Sequence, residues 1–74
     1  MTNEDALLSQ GIRLALAMMP QVTKLDRAAR LGVNPYTLDR WTSGASTPTP
    51  SNIARLSAAS GVSAEEIRNG RLAD

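Results

Sequence analysis

The chain has 74 residues, no cysteine, no histidine and a formal net charge of +1, a length that suits one small core, so residues 1–74 are expected to form a single domain. Lack of cysteine rules out a disulfide framework or a thiolate metal site, and lack of histidine removes the commonest general base and metal ligand, so no catalytic residue, cofactor or metal is expected. No apolar run approaches the roughly 18–20 residues of a bilayer span, and the acidic start MTNEDALLSQ does not resemble a secretory signal; the expected setting is a reducing cytoplasm, with no membrane partner.

Punctuation by caps, prolines and glycines divides the chain into helices, and nothing reads as a strand. Segment 4–19 places Leu8, Ile12, Ala15, Leu16 and Met19 on one stripe, with Glu4 and Asp5 at its start and Pro20 at its close. Gly11 within it costs about 1 kcal/mol relative to alanine, which predicts loose first turns. A second helix opens at Thr23, a good N-cap with Asp26 three residues on, and stops at Gly32; Leu25, Ala28, Ala29 and Leu31 are its expected inner side. A third follows at once, with Asn34 as N-cap, Pro35 at the first helical position, Val33 and Leu38 as a hydrophobic staple, and Gly44 as terminator. The loop ASTPTP leads to a fourth helix capped by Thr49, ending at Gly61, with Ile53, Leu56 and Ala59 inward. Ser63 and Glu66 form a capping box, and Val62 and Ile67 a staple, for a short fifth helix ending at Gly70 before a frayed tail RLAD.

Two short helices joined by a tight glycine turn have the sequence form of a helix-turn-helix. Leu38 and Trp41, three residues apart, share a face of the third helix and would be held by the bundle. The opposite face would protrude, and a protruding helix fits the major groove of B-DNA. Pro35, Tyr36, Thr37 and Arg40, in or near the first half of that helix, are then the natural readers of base edges. Charge supports a polyanion partner in direction more than in size. Lys24, Arg27, Arg30 and Arg40 lie mid-chain against Asp26 and Asp39, an excess of four minus two, while Glu4, Asp5 and Asp74 lie at the termini.

The run VTKLDRAARLGVNPYTLDRWTSG, followed by TPTPSNIARLSAASGVSAEEI, resembles the Cro and phage-repressor (XRE-like) helix-turn-helix family over about residues 12–68. The resemblance is carried by Ala28, LGV at 31–33, Leu38, RWxSG at 40–44, a proline after the loop and GVSxEEI at 61–67, together and in order. It implies an all-α, compact five-helix repressor-type bundle with the helix-turn-helix at about 23–44, operator double-stranded DNA as ligand, and a homodimer paired at about 62–72 on a two-fold site. Carried over residue by residue, it implies that Lys24, at the first turn of the second helix, lies near phosphate and the first base of a half-site. It makes Tyr36, Thr37 and Arg40 exposed positions of the recognition helix, and Ser43 and Ser46 phosphate contacts. With the caps Thr23 and Asn34, with Pro35, and with Arg27, which shares a side with Lys24, these complete the expected DNA-facing set. Two positions depart from the family pattern. Arg27 stands where an apolar residue is usual, so that its stem could lie along the core or Leu25 could supply the contact. Pro35 stands where a base-reading polar side chain is common, which leaves shape or methyl contact there.

Each residue also has a plainer role. Trp41 reads as a packing group rather than a base-stacking one. Tyr36 is open between nucleic-acid contact and packing at the bundle edge. Arg40 is set against pairing with a neighbouring acid or solvent, and Lys24, Arg27 and Arg30 against an ordinary solvated face. Asp39 is either an acceptor for cytosine N4 or, preferred, an intrahelical partner; Leu72 is either a dimer contact or part of a free tail. Two function classes follow. The first is a sequence-specific DNA-binding transcriptional regulator of Cro or repressor type, in a phage or bacterial cytoplasm, using helix 34–43 in the major groove. The second is a protein-interaction module of the same fold, an antitoxin or a partner bound by an antirepressor. With no room for an effector domain, regulation would come through competition for DNA, oligomerisation or a regulatory protein partner.

Overall fold

A computed structural model of the chain describes residues 3–72. These form five α-helices and, among the described residues, no strand: α1 (Asn3–Met18), α2 (Lys24–Leu31), α3 (Pro35–Ser43), α4 (Pro50–Ser60) and α5 (Ala64–Asn69). The side chain of Glu4 and residues 73 and 74, on which the expected acidic first turn and frayed tail partly rest, lie outside what is described. No helix among the described residues is long and apolar enough to cross a membrane.

The boundaries of α2 to α5 are set by local chemistry. Thr23, Asn34, Thr49 and Ser63 lie in extended conformation, and each accepts a hydrogen bond through its side chain from an otherwise unpaired N–H in the first turn. The Ser63–Glu66 box is reciprocal: the Ser63 N–H donates to Glu66 Oε1 at 3.0 Å, and the Glu66 N–H to Ser63 Oγ at 3.1 Å. Each of these four helices ends at a glycine of positive φ. At Gly32 (φ 72°) the conformation matters most, because it turns the chain from α2 into α3. There the Gly32 N–H donates to the Ala29 carbonyl and the Val33 N–H to the Ala28 carbonyl, so the last turn of α2 is closed before α3 begins.

The core is one cluster: Ile12, Ala15, Leu16 and Met19 from the α1 side, Ala28 and Leu31 from α2, Leu38 and Trp41 from α3, Ile53 and Leu56 from α4, with Val62 and Ile67. Leu8, Val33 and Ala59 pack against its edge, as their spacing predicts. Each fully buried large side chain contributes roughly 1.5–3 kcal/mol of transfer free energy. α1 packs on α3, α4 and α5, while α2 packs on α3 and α4.

Two expectations are corrected here. Leu25 and Ala29 do not belong to the inner side of α2: both are exposed, Leu25 by 69%. At 3.6 residues per turn the buried stripe centres between Ala28 and Leu31, which puts Leu25 about 90° away. Arg27 falls on the inward flank instead. Arg27 is half-buried and Leu25 does not substitute for an apolar residue at 27; the Arg27 Nε donates to the Gln21 carbonyl at 2.9 Å.

Gly11 is the second correction. α1 runs unbroken through it, and its bare backbone lets α1 meet α5 at backbone distance: a Cβ at position 11 would lie 1.7 Å from the Ile67 carbonyl oxygen. Helix propensity alone makes Gly11→Ala stabilising by about 1 kcal/mol. The contact reverses the sign. We expect Gly11→Ala to destabilise the fold by about 2–3 kcal/mol, as overpacking does, and to lower the thermal midpoint by roughly 10–20 °C. Thermal melting followed by circular dichroism reads that sign directly.

Candidate nucleic-acid interface

α3 is held by one side. Leu38 and Trp41 are buried to 2% and 3% exposure, and the opposite side carries Tyr36, Asp39, Arg40 and Ser43. Tyr36 and Arg40 are one turn apart, with Ser43 a further turn along, so they form a row along the outer face. Thr37 is half-buried on its flank, and Pro35, also half-buried, opens the helix. Trp41 is thus a packing residue, and Tyr36, at 64% exposure, is not packed into the bundle edge.

The far end of α3 is fastened to α1. The Thr42 carbonyl accepts from Ser9 Oγ at 2.7 Å and from Arg13 through Nε and Nη2. This carbonyl belongs to the last turn, where unpaired carbonyls concentrate partial negative charge, and the arginine meets it with a cation. Neither Ser9 nor Arg13 was singled out in the sequence. A signal was present for Ser9: it lies one turn before Ile12 beside the apolar stripe, and a buried hydroxyl requires a partner.

The outer row is ordered by its own contacts. The Arg40 guanidinium lies over the Tyr36 ring, 5.8 Å from its centroid, near the outer limit of a cation–π contact. Arg40 has no acid partner among the described residues; its Nη2 donates weakly to the Ala45 carbonyl at 3.4 Å. The loop folds back on the helix end, since the Ala45 and Ser46 N–H groups and the Ser43 hydroxyl all donate to the Arg40 carbonyl. Ser43 and Ser46 therefore sit together beside the end of α3.

Asp39 is not paired within α3, which corrects the preferred expectation. Residues three and four positions away are Pro35, Tyr36, Thr42 and Ser43, so its own helix offers no cation. Lys24 on α2 reaches across instead, and its Nζ lies 3.1 Å from each carboxylate oxygen. Both side chains are 55% exposed. Of the expected set, then, Tyr36, Thr37, Arg40, Ser43 and Ser46 gather on or beside α3, and Lys24 joins them through Asp39. Thr23 and Asn34 are exposed and engaged as caps, to Asp26 N–H at 3.1 Å and Tyr36 N–H at 2.9 Å. Arg27 is drawn away, toward the α1–α2 connection.

No protein family, curated protein or solved structure matches the chain.

An ion pair this exposed is held weakly. A double-mutant cycle on Lys24 and Asp39, read by denaturant unfolding, is expected to give a coupling below about 1 kcal/mol. The coupling should shrink further at about 1 M salt, where the Debye length is near 3 Å.

Proposed function

We propose that α2, the turn Gly32–Val33–Asn34 and α3 form a helix-turn-helix that binds double-stranded DNA. In this reading the protein is a transcriptional regulator of Cro or phage-repressor type, within a repressor-like five-helix bundle. The observation that carries it is the one-sided mounting of α3: a buried Leu38–Trp41 side and, opposite, a row of Tyr36 and Ser43, both exposed, with the half-buried Arg40 between them. A helix held in that way can enter a major groove about 12 Å wide without disturbing the core. Arg40 is the reader of choice, because guanidinium can contact the O6 and N7 of guanine in bidentate fashion. Thr37 serves a base edge or a thymine methyl, Pro35 a methyl contact, and Tyr36 a base or phosphate. Ser43 and Ser46, with the first turns at Thr23 and Asn34, are assigned to phosphate; Lys24 lies beside them, paired with Asp39. Arg27 is a weaker member of the set, since its Nε is already engaged. A single module covers little DNA, so a homodimer on a two-fold operator is part of the proposal, with residues 62–72 as the pairing region.

A second reading is a protein-interaction module on the same fold. It is favoured by the neutralised Lys24 and by Val22 and Leu25, exposed by 82% and 69% near the start of α2.

Selection from a randomised duplex library, followed by fluorescence anisotropy across salt concentrations, separates the two. A DNA reader is expected to enrich a palindromic site, with log K falling against log salt at about 0.9 per phosphate neutralised. Arg40→Ala should then weaken the selected duplex by about 1–3 kcal/mol and relax preference at one position per half-site. No enrichment, with negligible binding at low salt, would overturn the DNA reading in favour of protein contact.

A further inference from the structure

We infer that Asp39 limits sequence-independent binding by holding Lys24 away from phosphate, an inference that rests on the DNA reading above. The two residues come from different helices and meet at the exposed side of α3. Lys24 Nζ lies equally close to both carboxylate oxygens, at 3.1 Å. Asp39 itself is on the outer part of α3, beside Arg40, the cation of that helix. Any duplex approaching this face therefore meets one arginine with no acid partner among the described residues and one lysine–carboxylate pair whose charges cancel. Contact with phosphate is the same for every sequence and dominates non-specific binding. Asp39 reduces that part by its claim on Lys24. It leaves Arg40, the proposed base reader, without an acid partner among the described residues.

The arrangement also explains why a nearly neutral chain would carry an acid at the centre of a DNA-binding face. A carboxylate placed only for solubility could sit anywhere on the surface. This one lies within reach of a lysine fifteen positions earlier in the chain, at the first turn of the preceding helix.

The test compares the wild type with Asp39→Asn, Lys24→Gln, the double variant and Asp26→Asn. Asp26→Asn makes the same change of net charge on the side of α2 turned away from Lys24. Each is titrated by anisotropy against a duplex of scrambled sequence and the duplex recovered by selection, over a range of salt. Asp39→Asn is expected to tighten binding to the scrambled duplex about 3- to 10-fold near 0.1 M salt and to steepen its salt slope by about 0.9, the value of one added phosphate contact. Lys24→Gln alone should change little, and combined with Asp39→Asn should cancel most of the gain. If the wild type binds its selected duplex but Asp39→Asn is unchanged, or matches Asp26→Asn, the inference is wrong and the DNA reading stands. If the gain persists without Lys24, the hold on Lys24 is refuted. If the wild type neither enriches nor binds a duplex, both fall together.

Discussion

The bundle closes because α1 has no side chain at position 11. Ile67 of α5 sits so near that a β-carbon there would overlap its carbonyl, and α5 can approach this closely only along a bare stretch of helix. A second close approach repeats the arrangement at the end of α5, where Gly70 lies against the Leu7 backbone. Gln10 adds a hydrogen bond to the Gly70 carbonyl at 2.7 Å. In a chain this short the first and last helices thus act as a clasp, and Ile12, Ala15 and Ile67 lose their contact with water behind it. α3 depends on the same frame, since α1 supplies both the serine and the arginine that secure its end.

The candidate interface shows how little a small domain must commit to the side of a helix that it leaves exposed. Two large side chains and one carbonyl hold α3, and the remaining side chains are free to be chosen for a partner. The charge on that side is nearly balanced locally. One lysine and one aspartate cancel, and an arginine remains, resting on a tyrosine ring. Such a surface relies more on the placement of a few donors than on a broad positive field, and it offers limited long-range attraction to any polyanion.

Where the sequence could be read, the information was local. Asn34 followed by Pro35, the glycines at 32, 44, 61 and 70, and the Ser63–Glu66 box each specify a helix boundary within four residues, and the structure uses all of them as written. The Leu38–Trp41 grip was legible for the same reason, as a pair spaced to share a face. What escaped was tertiary. Eight residues of α2 admit only two turns, too few to fix the azimuth of its stripe by pattern, so the spacing reads Leu25 as inward where the bundle buries Ala28 and Leu31. The partner of Asp39 was hidden by its separation in sequence, although the absence of a cation one turn away was visible and excluded the intrahelical choice. Propensity at Gly11 describes a helix in isolation; the role of this glycine lies in a neighbour more than fifty residues on.

The three donors gathered on the Thr42 carbonyl bear on the entropy of association. A recognition element that orders only on contact must give up about 1–2 kcal/mol per residue at the moment of binding. α3 is already capped at Asn34, fixed at its middle by Leu38 and Trp41, and moored to α1 at Thr42, so that loss has been met during folding. Whatever meets its outer face encounters a formed surface, and the contacts made there need not offset the backbone ordering of α3, only the rigid-body, side-chain and desolvation costs of association. The rate of such an encounter is then governed by orientation and diffusion, with no folding step in between.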